Sequence, residues 1–333
     1  MAAPPAVVEE TAPAFPRRSQ VIDRAFRGTS LVVAAGLVVL LGALILELIS
    51  GSSRVWAGFG LGFITGTSWN PVTGRELFGA MPFIYGTLVT SAIAMALAVP
   101  VAIGLALLMN ELRSGWLRNP LASFVDVLAA IPSIVYGLWG LFVLRPVFDR
   151  DVEPFLKATI GKVPLVGILF RGSANGPDML TAGVILSIMV LPIVTALSRE
   201  VIAVVPRDLR EAAKAIGATR FETIRMAVLP AARPGIIGAA MIGLGRALGE
   251  TIAVTMVIGN SPLIKASLLA PSATIPSWIA SSFREATSIG LHRSALLGLA
   301  LILVVVTFAL TAASRLLVGR TRSGFPASEG SQT

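Results

Sequence analysis

The stretch PRDLREAAKAIGATRFETIRMAVLP, from Pro206 to Pro230, is charged and amphipathic and lies between two long apolar runs. Its residues predict two short helices that meet at an angle at one face of a membrane. Pro206 suits the first position of a helix, and Gly217 suits the left-handed residue just beyond a helix end. Thr219 and Glu222 have the spacing of a capping box, and Pro230 is expected to stop the second helix.

The apolar residues of this stretch recur at helical spacing, which places them on one side of the two helices. They are Leu209, Ala212, Ala213, Ile216, Phe221 and Ile224. Such a face fits a groove on another protein. The alternative interpretation is an amphipathic helix that lies on the membrane surface.

The composition is that of a membrane protein. Of 333 residues, 55% are hydrophobic and 14% are charged, and the mean hydropathy is +0.82. The sequence contains no cysteine, which excludes disulfides, thiol catalysis and cysteine-ligated metals. His292 is the single histidine, so a histidine cluster is also excluded.

Six apolar runs are each long enough to cross a bilayer, which takes about 20 helical residues. They are expected near 31–49, 86–109, 122–145, 180–198, 235–258 and 294–317. Pro100, Pro132 and Pro192 fall inside these runs and predict kinks. The expected organisation is a disordered tail at 1–28, a membrane domain at 29–320 that includes the 206–230 loop, and a second tail at 321–333.

The basic residues predict the orientation of the chain. Most of the 27 lysines and arginines lie in the N-terminal tail, the 110–120 and 199–234 loops and the C-terminal segment. By the positive-inside rule, both termini and the 206–230 loop are then cytoplasmic. Because the net charge of +9 follows this topology, nucleic acid is not an expected partner.

Two charged residues, Arg246 and Glu250, lie in the fifth apolar run at the i, i+4 spacing of one helical face. A charge at that depth costs at least about 2.5–3.5 kcal/mol, so its presence needs a reason. Either the two form a self-neutralising structural pair, or Arg246 holds an oxyanion on a translocation path with Glu250 orienting it. Gly245 and Gly249 have a small-xxx-small spacing, which is typical of packing against a second subunit or within one chain.

The 206–230 loop resembles the cytoplasmic "EAA" loop of ABC-importer permeases, whose first helix docks into a cleft of a separate ATPase. The matching positions are Glu211, Ala212, Ala213, Gly217, Leu229 and Pro230, while Ala227 departs from the family's isoleucine. The segments Tyr85 to Leu112, Ala129 to Pro146 and Arg246 to Asn260 are similar to phosphate-importer permeases of the PstC type. The Arg-Ala-Leu-Gly-Glu run also resembles molybdate and sulfate permeases, which remain an alternative.

This resemblance implies an all-α polytopic protein of the type I importer architecture, with six transmembrane helices in a bacterial inner membrane. The implied partners are a homologous second permease, two ABC ATPase subunits and an external phosphate-binding protein. ATP and Mg²⁺ would be used by the ATPases, with no cofactor on this chain, and the sequence has no G-x-x-x-x-G-K-[ST] phosphate loop. The alternatives from other classes are an ion-coupled secondary transporter or channel, which would not need an ATPase-docking loop, and an intramembrane enzyme, for which no nucleophile and base or metal motif is visible.

Overall fold

The computed structural model describes residues 17–112, 115–164, 166–171, 176–286 and 290–322, with side-chain environments for residues 24–316 of these ranges. The chain separates into two compact units between Ser50 and Gly51. The first unit contains most of helix α1, which runs through Arg17–Phe59. None of the side chains described between 24 and 50 is buried within the chain.

The predicted tail at 1–28 is wrong for its last part, because residues 17–28 belong to α1. No proline separates them from the apolar run, and a helix once nucleated extends at little cost. Similarly, the tail predicted at 321–333 begins with two helical residues. Residues 1–16 and 323–333 lie outside the described ranges, so the predictions for them remain predictions.

The second unit contains a small β-hairpin besides its helices. Following α2 (Gly62–Thr65), strand β1 (Trp69–Asn70) pairs antiparallel with β2 (Leu77–Phe78). The other regular elements of the described unit are helices. In chain order the helices are α3 (Met81–Glu111), α4 (Gly115–Ala130), α5 (Ser133–Trp139), α6 (Arg145–Val147), α7 (Glu153–Ala158), α8 (Met179–Ala203), α9 (Arg207–Ala215), α10 (Arg220–Thr223), α11 (Leu229–Gly249), α12 (Ile252–Val257), α13 (Ile275–Ser282) and α14 (Leu291–Arg322).

Wider and tighter helical turns join several of these elements. The wider π-helical turns are Gly140–Leu144, Phe148–Val152 and Ile224–Val228, and the tighter 3₁₀ turns are Ile160–Lys162 and Val166–Phe170. Within the described ranges, five helical stretches are long and apolar enough to cross a membrane, and a bent pair could form a sixth.

The bent pair corrects the predicted span at 122–145. The helix ends at Ala130, Pro132 takes the N-cap position of α5, and the axis turns by 93° at the break. Because proline disfavours a helical conformation in the residue before it, Ile131 leaves the helix, and the span is broken rather than kinked. Pro100 and Pro192 lie inside α3 and α8, as predicted.

The largest core forms where α3, α8 and α11 pack together. Alanines on α3, including Ala94 and Ala98, share this core with Val190 and Val194 of α8, and small residues let helices approach closely. A second core surrounds the hairpin, and a third joins the ends of α3 and α8 to the start of α11 through Ala106, Ile202, Val228, Ala232 and Ile236. This third core fixes the base on which the 206–230 stretch rests.

Candidate functional site

The turn between α9 and α10 has the predicted geometry. Gly217 has a left-handed backbone with φ of +87°. Its N–H donates to Lys214 O at 2.9 Å, and the Ala218 N–H donates to Ala213 O at 3.1 Å, which together form a Schellman motif. Thr219 then caps α10 in a reciprocal capping box with Glu222. Pro206 is the N-cap of α9 rather than its first helical residue, a shift of one position.

The prediction that Pro230 stops the second helix is wrong. Residues 220–249 form one helical stretch in which Pro230 lies in the first turn of α11. The π-helical turn Ile224–Val228 lies directly before it, and the Leu229 N–H donates to Ile224 O across that wider turn. Since a wider turn changes the hydrogen-bond pattern where proline lacks its N–H, the helix continues through it.

The α9 helix is held to the membrane domain on one side and exposed on the other. Arg210 donates to Glu111 Oε1 at 2.8 Å and to Ile202 O at 3.2 Å, and Ala213 is buried beneath the helix. On the outer side, Leu209 and Ile216 are 44% and 76% exposed. Leu209, Ala212 and Ile216 of the predicted apolar face are therefore uncovered within the described chain, whereas Ala213 is covered.

The other predicted coupling residues divide between these two sides. Glu211, Ala212, Gly217 and Pro230 are exposed, and Leu229 packs against the third core. Phe221 at the start of α10 is 71% exposed and extends the uncovered apolar face. The segment thus combines a fixed inner side with a free outer side that is suitable for docking.

Arg246 lies in the last turn of α11, and Glu250 is the residue that caps the end of this helix. The helix α11 ends at Gly249, and Glu250 has an extended backbone (φ −67°, ψ 127°). Glu250 Oε1 accepts from the Ala253 N–H at 3.4 Å, at the start of α12. The Arg246 Nε is buried without a hydrogen-bond partner in the described chain. The roles of both residues on a substrate path remain predictions.

The break at Glu250 faces the break at Pro132, because α12 packs against α5. A Cβ atom on Gly137 of α5 would lie 2.9 Å from Ala253 Cα and 2.8 Å from Met256 Sδ. Ala247, the neighbour of Arg246, belongs to the same core as Tyr136 of this short helix. Broken helices expose backbone polar groups, which at membrane depth must be buried in protein or line a watery cavity. Arg246 therefore lies beside the part of the bundle best suited to a polar pathway.

Gly245 and Gly249 lie on an open surface. No atom of the described chain lies within 4 Å of a Cβ at either position. Together with Leu303, Thr307 and Phe308 of α14 they line a cavity of about 560 Å³. Packing against the described residues therefore does not account for these two glycines.

A buried ionic cluster around Arg145 was not predicted. Arg145 Nη1 donates to Glu153 Oε1 at 2.7 Å and to Thr181 Oγ1 at 3.0 Å, and the guanidinium also pairs with Asp178 and Asp149. Asp178 in turn caps α8 by accepting from the Thr181 N–H at 2.8 Å. The local signals were visible, since Asp149 and Glu153 follow Arg145 at helical spacing, but Asp178 is 33 residues away and only the fold brings it close.

These features define a polytopic membrane protein with an exposed amphipathic loop and with helix breaks beside a partly buried arginine, which is the class of transporter permeases. Residues 98–323 match the family model described as "Binding-protein-dependent transport system inner membrane component". The chain belongs to this family, and it is therefore a multi-pass inner-membrane transport component rather than an enzyme.

Curated relatives are similar over most of the chain. The phosphate transport system permease protein PstC of Mesorhizobium japonicum is 45% identical over 91% of this chain and 92% of its own length. PstC of Pasteurella multocida is 43% identical over 90% of this chain and 92% of its own length. PstC 2 of Mycobacterium tuberculosis is 40% identical over 79% of this chain and 81% of its own length. The predicted resemblance to PstC-type permeases is confirmed.

Solved structures confirm the fold. A chain of a bacterial alginate ABC transporter, in complex with an alginate-pentasaccharide-bound periplasmic protein, matches with a TM-score of 0.59 at 18% identity, covering 92% of this chain and 98% of that one. A chain of the MetNI methionine ABC transporter in an inward-facing conformation matches with a TM-score of 0.50 at 19% identity, covering 72% and 94%. The predicted ABC-importer permease architecture is confirmed.

Proposed function

We propose that this chain is a permease subunit of an ATP-driven importer for inorganic phosphate. The similarity to PstC permeases supports the substrate class. The observation that carries the coupling mechanism is the helical stretch 220–249, which joins the exposed docking segment to Arg246 without a stop. At 1.5 Å per residue, Arg220 and Arg246 are about 40 Å apart along it, enough to cross the hydrocarbon core.

The partners in this proposal are a second permease, two ABC ATPases and an external phosphate-binding protein, all within a lipid bilayer. The exposed outer side of α9 suits an ATPase cleft, and the open face at Gly245 and Gly249 suits a second permease. ATP and Mg²⁺ belong to the ATPases, and this chain binds no cofactor. Both termini and the 206–230 stretch face the cytoplasm in accordance with the basic residues.

The coupling transmits a displacement of α9 to the membrane helices. ATP-driven closure of the ATPases displaces α9, and the Schellman turn at Gly217 with the capping box at Thr219 transmits that displacement to the 220–249 helix. The ion pair between Arg210 and Glu111 carries part of it to α3. Movement of the helix repacks the α5 and α12 contact and switches the pathway between outward and inward access.

Arg246 is the anion-holding residue of the pathway. Its guanidinium can replace part of the hydration shell of a phosphate ion by bidentate hydrogen bonds. Glu250 follows one turn later beyond the helix end, where its carboxylate orients Arg246 or competes with the anion for it. Release follows when the inward state admits water, because solvation weakens the charge-assisted bonds.

The test is ATP-dependent uptake of labelled phosphate by the reconstituted complex, with excess molybdate or sulfate as competitors. Wild-type uptake should resist both competitors. Arg246→Ala should lower uptake at least about 100-fold while the complex still assembles, and Arg246→Lys, which keeps charge without the planar fork, should be intermediate.

Three results would contradict the proposal. Full uptake by Arg246→Ala would make that residue structural. Transport of molybdate or sulfate instead of phosphate would assign the chain to another oxyanion importer. Uptake that follows an ion gradient and needs no ATPase would indicate a secondary transporter.

A further inference from the structure

The inference concerns a basic cavity beneath the α9–α10 turn, away from Arg246. Its volume is about 340 Å³, and its lining includes four cationic side chains from three helices: Arg118 of α4, Arg210 and Lys214 of α9, and Arg220 of α10. Asn110 and Glu111 at the end of α3 complete the polar wall. One water needs about 10–15 Å³ of such space, so the cavity accommodates a phosphate group.

The charge of the cavity is unbalanced. Arg210 is paired with Glu111 at 2.8 Å, but Arg118, Lys214 and Arg220 have no carboxylate partner in the described chain. The positive-inside rule explains why basic residues lie on this face, yet it does not require several of them to line one concavity. Like charges that share a concave wall repel each other, and their field concentrates anions there.

The cavity opens on a different side of α9 from the docking face. Arg210 and Lys214 are four residues apart and lie on one side of α9. The exposed Leu209 and Ile216 are seven residues apart and lie on another side, and the buried Ala213 lies between the two sides. An occupant of the cavity would therefore leave the apolar face free. It would also contact both helices that flank Gly217.

We propose that this cavity binds a phosphate group, carried either by an anionic phospholipid or by free inorganic phosphate, and that its occupancy fixes the α9–α10 turn to the ends of α3 and α4. Arg118 and Arg220 supply guanidinium forks that match phosphate oxygens, and Lys214 adds a compact charge. The asparagine amide at Asn110 is engaged with Ala106 O and Arg199 O, so it holds the wall rather than the anion. The site is separate from the transport pathway and does not depend on the proposed transport substrate.

The experiment measures binding by the assembled complex that carries Arg246→Ala, so that the pathway does not contribute. One arm measures retention of labelled inorganic phosphate by equilibrium dialysis in phosphatidylcholine nanodiscs. The other arm measures retention of labelled phosphatidylglycerol through purification in detergent. Lys214→Ala combined with Arg220→Ala should weaken binding at least about tenfold, since each removes a charge-assisted hydrogen bond.

Two control variants separate the site from general charge. Arg225→Ala removes an exposed cation that does not line the cavity and should bind like the parent. Lys214→Arg keeps the charge and should retain binding. Loss in the double variant alone supports the site, and the arm that shows it identifies the carrier of the phosphate group. Absence of binding in both arms, or equal binding in the double variant, would overturn the proposal.

Discussion

At the scale of single residues, Gly217 is the position where backbone geometry alone sets the tolerance to substitution. Its φ is +87°, and a Cβ would meet no atom within 4 Å. Any effect of a side chain there must come from strain in the left-handed backbone, which costs about 1–2 kcal/mol in a residue with a Cβ.

Replacing Gly217 by valine should therefore uncouple ATP hydrolysis from phosphate import. The β-branched side chain disfavours the left-handed conformation, so the α9–α10 turn would open. We expect the ATP hydrolysed per phosphate imported to rise several-fold. Gly217→Asn is the matched control, because asparagine tolerates this conformation and should remain near wild type. Normal coupling in the valine variant would remove this turn from the mechanism.

The Arg145 cluster gives a second prediction at this scale. Glu153 and Asp178 are fully buried, so removal of Arg145 would leave their carboxylates without a counter-ion. Breaking a buried pair in this way costs about 3–5 kcal/mol, and Arg145→Ala should lower the apparent melting temperature of the purified complex. Arg150→Ala is the control, since the Arg150 side chain is 86% exposed and lies 3.8 Å from Asp151. Equal melting of the two variants would show that the cluster does not stabilise the fold.

At the scale of elements, the contact between α5 and α12 depends on Gly137. A Cβ there would lie 2.9 Å from Ala253 Cα, a backbone atom that cannot rotate away. Gly137→Ala should therefore push the two broken helices apart and lower phosphate uptake severalfold, although alanine favours a helix over glycine by about 1 kcal/mol. Gly104→Ala has open space around its Cβ and should leave uptake intact. Unchanged transport by Gly137→Ala would show that this contact can relax.

Local sequence patterns predicted the elements whose signals lie within a few residues. The capping box at Thr219 and the left-handed Gly217 are such cases, and so is the broad placement of the apolar spans. The predicted end at Pro230 was wrong because a π-helical turn precedes the proline, and Val228 and Leu229 at this point pack in the third core. A hydropathy pattern does not show where a helix changes from α-type to π-type hydrogen bonds.

The candidate site residues also divide into those that local sequence signals identify and those that depend on the fold. The apolar run 235–258 hides the break at Glu250, although Gly249 and Thr251 around it are residues typical of a helix end and a helix start. Arg145 and Asp178 meet across 33 residues, so their ion pair depends on the packing of α6 and α8. Arg246 could be singled out from sequence because a charge in an apolar run is costly, but its surroundings could not.

At the scale of the whole molecule, much apolar surface has no cover among the residues that the structure describes. In α1 the most apolar stretch has none of its residues buried, and the α11 face at Gly245 and Gly249 is also open. Lipid alone can cover α1, but a glycine-lined face favours close approach of another helix.

Filling that face should block assembly. Gly249→Leu should prevent copurification of the second permease, because leucine would hold the partner helix away, while nothing in this chain lies close enough to clash. Gly249→Ala keeps a small residue and should copurify normally. If the leucine variant retains its partner in full, the subunit interface lies elsewhere.

The uninterrupted helix from 220 to 249 has a further, spectroscopic consequence. Because the sequence contains no cysteine, cysteines could be introduced into this chain at Phe221 and Ile242 to attach paired probes, since both side chains are exposed. The two probes would sit on one continuous helical stretch, about 30 Å apart along its axis. A spacing that stays constant while the complex cycles would show that this stretch moves as one body, and it would then serve as an internal reference for other distance changes.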